Sequence, residues 1–106
     1  MFSQESIALA AQRIAAASSS PAKVILIGSY ARGDATEDSD VDLVVLQNEF
    51  SHRGEEYMRL IDEAHKSLGR VDLILMRVED FEWKSTVGGT LPYWAKKEGR
   101  VLHDFK

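Results

Sequence analysis

The sequence predicts an α+β domain, a small mixed β-sheet with helices mainly on one face. Three observations carry that prediction. The runs AKVILIG (22–28), VDLVVLQ (41–47) and RVDLILM (70–76) have the length and β-branched content of strands. Stretches of helical periodicity flank them, at 3–18, 54–68 and 91–99. Only about a dozen residues join the first two strands, short for a full parallel crossover, so those strands are expected to form part of a mixed or antiparallel sheet.

Each element has a local reason. In the first helix Ile7, Ala10, Ile14 and Ala17 recur at helical spacing, alanine is the best helix former, and the SSSP that follows ends the run. Glycine closes the first strand at Gly28. Between Gly54 and Leu68, Tyr57, Ile61, Ala64 and Leu68 share one face, Asp62 and Lys66 stand four apart, and Gly69 stops the helix. EDFEWKST (79–86) reads as a helical turn and TVGGT (86–90) as a loop. LPYWAKKEG (91–99) has Pro92 in its first turn and Gly99 just past its end, the arrangement a short helix favours. RVLHDF (100–105) reads as a last short strand or a tail.

Bulk properties narrow the function. The 106 residues suit one domain, here taken as 1–106. With 13 Lys and Arg against 17 Asp and Glu, the net charge is −4, and no basic cluster offers the counterion release that general nucleic-acid binding uses. The absence of cysteine excludes disulfides and Cys-ligated zinc and accords with a reducing, cytoplasmic setting. No apolar run approaches the ~18 residues of a membrane span. The N-terminal stretch has no basic start and is interrupted by Glu5 and Arg13, unlike a signal peptide.

The chemistry concentrates in GSYARGDATEDSDVDL (28–43). Alternate strand residues project to one side. With a strand starting near Ser39, Asp40 and Asp42 leave the same face. Two such charges about 4 Å apart repel by roughly 1 kcal/mol in water and about 4 kcal/mol at an effective dielectric of 20. Stability alone gives no reason for that pairing, whereas a divalent cation turns it into attraction. Oxygen-only ligands favour Mg²⁺ or Mn²⁺ over zinc. VDLIL (71–75) echoes VDLVV (41–45), so Asp72 on a neighbouring strand can face the same cluster. Three carboxylates could hold two metal ions for in-line phosphoryl displacement. Gly28 permits a tight turn, Ser29 then opens a short helical turn suited to phosphate, and Arg32 brings a guanidinium fork matched to phosphate oxygens.

Gly28-Ser29, ten residues, then Asp40-Val41-Asp42 resembles the signature of the DNA polymerase β-type nucleotidyltransferase superfamily. The wording of 28–43, the match of Asp72 to the third family carboxylate, and the ending YWAKKEGRVLHDF resemble its minimal nucleotidyltransferase branch, over about Lys23 to Phe105. That branch includes antitoxins paired with HEPN-domain ribonuclease toxins. The resemblance implies a polymerase β-like fold and transfer of a nucleoside monophosphate, AMP from ATP, to a hydroxyl with two Mg²⁺ ions, releasing pyrophosphate. Asp40 and Asp42 would bind both metals. Asp72 would help bind the catalytic metal and favour deprotonation of the acceptor, which in this branch can be a tyrosine of the toxin.

Plainer readings stand beside these. Asp40 and Asp42 could form a solvated acidic turn, Ser29 a helix cap, Arg32 a surface partner of Asp34 or Glu37, and Asp72 a strand-edge residue. Asp38, Asp40, Asp42 and Glu49 fall at EF-hand positions, but Leu43 stands where that loop needs glycine. His52, His65 and His103 are scattered, and no chemistry is assigned to them; Trp83, Tyr93 and Trp94 read as core or interface, with base stacking by Tyr93 or Trp94 the alternative. Two competing functions remain at this level. One is a module that neutralises its partner by occlusion, and the other is nucleotidyl transfer to a small molecule.

Overall fold

The computed structural model describes residues 1–105. The chain runs α1 (Gln4–Ala17), β1 (Ala22–Ile27), α2 (Gly28–Arg32), β2 (Val41–Gln47), α3 (Arg53–Ser67), β3 (Val71–Arg77), α4 (Val78–Lys84), α5 (Leu91–Glu98), β4 (Arg100–His103). The sheet order is β3-β2-β1-β4. β1 pairs antiparallel with β2 and with β4, and β2 pairs parallel with β3. The predicted mixed sheet is present. The short 28–40 connection joins an antiparallel pair, and α3 supplies the crossover that the parallel pair needs.

β2 is the central strand, and its near-continuous apolar run follows from burial on both sides. Val41, Leu43 and Val45 face the larger core with Val24, Leu26, Leu73 and Leu75, under α1 and α3. Val44 and Leu46 face a smaller cluster with Ile25, Phe81 and Ala95, under α4 and α5. The two long helices share one face. The two short ones cover part of the other and leave Asp72 exposed and Asp42 half-exposed at its β2–β3 end. Each fully buried aliphatic side chain contributes about 1.5–3 kcal/mol, so the larger cluster fixes how β2 and β3 align.

The helices are specified locally. Ser3 caps α1 by accepting from the Ser6 amide at 3.1 Å, and Ile7, Ala10, Ala11 and Ile14 are buried. α3 carries Glu55 and Glu56 in its first turn and His65 and Lys66 in its last, complementing the helix dipole. The Asp62–Lys66 pair forms at 3.3 Å. Thr90 caps α5, accepting from the Tyr93 amide at 3.3 Å. α4 is a full helix where the sequence suggested a turn, because Phe81 inserts into the smaller cluster.

One polar knot was not foreseen. Glu56 is buried among apolar neighbours of α3. Its Oε2 accepts from the Ser19 amide and from Gln47 Nε2, each at 2.9 Å, and its Oε1 accepts from Arg59 at 2.6 Å. Burial pushes its carboxyl up, but these donors together outweigh burial and hold it below the usual value. The knot ties the α1–β1 connection, the end of β2 and the start of α3 together.

Candidate functional site

The site grows from the end of β1. Ile27 is extended, and Gly28 turns the chain with φ 75° into α2. Glycine is required here twice. The positive φ disfavours other residues, and a Cβ at this position would collide with Asp42 Oδ2. α2 lasts five residues and ends at Gly33, φ 85°, whose amide donates to the Ser29 carbonyl at 2.9 Å; the Asp34 amide donates to the same oxygen at 3.0 Å. Ser29 is half-buried at the start of this turn, as the sequence suggested.

Strand register brings two of the three acids side by side. Asp42 lies opposite Ile27 on β1 and opposite Asp72 on β3. Their side chains leave the face shared by Val44, Leu46 and Ile74, at the end that α4 and α5 leave uncovered. Burial pushes the Asp42 carboxyl above its usual value; the Asp72 and then the Asp40 carboxylates add to this, and Arg32 partly offsets it. The fold thus holds two carboxylates together at a cost that Arg32 offsets only in part.

Asp40 lies just before β2, not in it. Its Oδ1 accepts from Arg70 Nε at 3.1 Å, while Arg70 Nη2 donates to the Asp38 carbonyl at 2.7 Å. Among the described residues no three His, Asp or Glu side chains stand close enough to form a ready metal cluster. Asp42 and Asp72 fit a hard divalent cation in position, charge and donor type. Asp40 fits in type and proximity, with one oxygen engaged by Arg70.

Arg32 reaches outward. Its Nε is 3.4 Å from Asp34 Oδ2 and its Nη1 is 4.0 Å from Glu98 Oε2. The Asp34 pairing is one that the sequence offered; Glu98 is new, since nothing in the sequence links residues 66 positions apart. Arg70 was missed for the same reason. Gly28 and Arg32 also line a cleft of about 480 Å³ with Ile27, Leu91, Trp94, Ala95 and Glu98. Trp94 is 47% exposed and Trp83 68% exposed, so neither is core. The EF-hand alternative fails because 41–47 is a paired strand, with no loop to wrap an ion. His52 and His65 are exposed and His103 is half-buried on β4; none adjoins the acids in register.

Comparison with known proteins agrees with this geometry. Residues 9–94 match the model of the nucleotidyltransferase domain family. Two proteins of Methanocaldococcus jannaschii, MJ1379 and MJ0604, each carry the name "Putative protein adenylyltransferase". The first is 47% identical over 53 residues, covering 48% of this chain and 53% of its own, so the match spans about half that relative's length. The second is 30% identical over 83 residues, covering 76% of this chain and 77% of its own. A crystal structure described as "a putative nucleotidyltransferase from Sulfolobus solfataricus" superimposes with a TM-score of 0.59 at 18% identity, over 96% of this chain and 84% of that one, a likeness of fold.

Proposed function

Because the chain belongs to the nucleotidyltransferase domain family, we propose that it transfers AMP from ATP to a hydroxyl of a partner protein. We propose further that the partner is a HEPN-domain ribonuclease toxin, silenced by the modification, in the cytoplasm. The observation that supports this most is the in-register Asp42–Asp72 pair beside the Gly28 turn. The names of the two relatives point to a protein acceptor. The toxin partner rests on the family resemblance of the motif.

In this reading Asp42, Asp72 and Asp40 would hold Mg²⁺, for which Mn²⁺ could substitute. Bound there, the metal would neutralise phosphate charge and lower the pKa of the acceptor hydroxyl. The chain's own groups do the rest. The Gly28–Ser29 turn offers backbone N–H groups and a hydroxyl to phosphate oxygens, and Arg32 offers a guanidinium at the rim. Asp72, the more exposed of the strand acids, receives the acceptor's proton. The acceptor oxygen attacks the α-phosphorus, its new P–O bond forms as the bond to the β-phosphate bridging oxygen breaks, and pyrophosphate leaves with that electron pair.

The test is transfer of label from α-³²P-ATP with Mg²⁺ to the product of the neighbouring gene, beside the Asp40→Asn, Asp42→Asn double variant. Label on the neighbour with the wild type alone supports the reading. Label on small hydroxylated compounds instead would make the acceptor a small molecule. The second reading, neutralisation by occlusion without transfer, is favoured by Arg70 engaging Asp40. It requires that the double variant still bind and neutralise the partner with no label transferred.

A further inference from the structure

We infer that the cleft between α2 and α5 receives the nucleobase of the bound nucleotide, stacked on the Trp94 indole with its exocyclic amine donated to Glu98. This rests on the nucleotidyl-transfer reading and adds which residues select the nucleotide.

Continuity with the acid site is the first argument. Gly28, which the Asp42 carboxylate abuts, also lines the cleft, as does Arg32 at the far end of the same short helix. Ile27, another lining residue, is the cross-strand partner of Asp42. A nucleotide whose phosphates lie along Gly28–Arg32 thus has this cleft directly beside it.

The lining suits a base. Ile27, Leu91 and Ala95 give an apolar floor. Trp94 is nearly half exposed, so part of its indole is open to a ligand in the cleft it lines. It is also held in place. The Tyr93 ring meets it edge-on, with centroids 5.2 Å apart and an interplanar angle of 86°. Lys97 lies 5.5 Å over the Tyr93 ring and donates to its hydroxyl at 3.3 Å. A preorganised indole is a stacking platform that every base can use. Discrimination then falls to Glu98, an acceptor across from Arg32 that is only loosely paired at 4.0 Å. A carboxylate accepts from the exocyclic amine of adenine, and uracil has none to give. A cavity of about 300 Å³ beside Phe2 and Tyr30 and one of about 520 Å³ beside Phe50 and Arg77 are lined neither by the acids nor by Gly28.

The experiment is calorimetric titration in Mg²⁺ with the α,β-methylene analogues of ATP and UTP, which cannot be cleaved at the reacting bond, and with inorganic tripolyphosphate. Trp94→Ala should weaken the ATP analogue about tenfold or more, Trp94→Phe should restore most of that, and tripolyphosphate should bind all three proteins alike. The wild type should prefer the ATP analogue to the UTP analogue, and Glu98→Ala should erase the preference. Unchanged binding of the ATP analogue by Trp94→Ala overturns the subsite while leaving nucleotidyl transfer standing. So does an equal loss of analogue and tripolyphosphate by a Trp94→Ala protein whose circular dichroism and melting temperature match the wild type's, which places the effect of Trp94 on the phosphates and not on the base. A wild type that binds neither analogue nor tripolyphosphate overturns the subsite and the transfer reading together.

Discussion

At Asp42 function and stability pull in opposite directions. Its carboxylate is half-buried against Gly28 with Asp72 alongside. Asp42→Asn should lower label transfer by about three orders of magnitude or more, the several kcal/mol a bound metal contributes. The same change should raise the melting temperature in metal-free buffer, by up to about 1 kcal/mol of stability once solvent screening is allowed for. A melting temperature that falls would show that the repulsion is not there. Gly28→Ala meets both a left-handed backbone and the Asp42 side chain, so it should cost about 1–2 kcal/mol or more and abolish transfer, measured by urea unfolding and label transfer on the same sample. Arg70 competes for Asp40. Arg70→Ala should bind Mn²⁺ several-fold more tightly, since no guanidinium has to be displaced, as read by electron paramagnetic resonance; weaker binding would mean that the arginine orders the turn instead. The Asp42–Asp72 pair was legible in the sequence because the two VDL runs are alike, whereas the strand period placed Asp40 on a strand that in fact begins one residue later, at Val41. The Arg70 and Glu98 contacts were not, because they depend on which distant loops the sheet brings together.

Among the elements, α3 carries the feature that apolar patterning hides. The sequence shows Glu56 as an ordinary first-turn acid, which the helix dipole already explains. Only the folded chain reveals that the Ser19 amide and Gln47 converge on it. Its carboxyl is held below the unfolded value, so the native state releases this proton more readily than the unfolded chain. The stabilisation is therefore complete above the ordinary glutamate range and is lost as pH falls through the lowered folded value. Glu56→Gln should cost about 2–3 kcal/mol at neutral pH, and its urea midpoint should fall less steeply than the wild type's between about pH 5 and 3. Parallel slopes would place the acid sensitivity elsewhere. Strand identity and most helix bounds could be read from periodicity. The full extent of α4 could not, since a single inserted Phe81 decides it.

The whole molecule has two unequal faces. One is closed by α1 and α3, and the other is closed only as far as α4 and α5 reach, so the acids are open to solvent on that side. Trp94 lines the cleft beside Gly28 on this face. The last strand lies on the opposite flank. β4 covers β1 with Leu26 opposite Arg100 and Val24 opposite His103, and Leu102 packs on the larger core. Until residues 100–103 arrive, β1 is an open sheet edge, and β1 is the strand that ends in the Gly28 turn. Pairings this distant along the chain form slowly, because loop closure must precede their reward. The β1–β2 pairing is local in sequence, whereas the β1–β4 pairing closes the longest loop in the sheet. The Gly28 turn thus hangs from a strand held on one side by its neighbour in the chain, β2, and on the other by a segment more than seventy residues away.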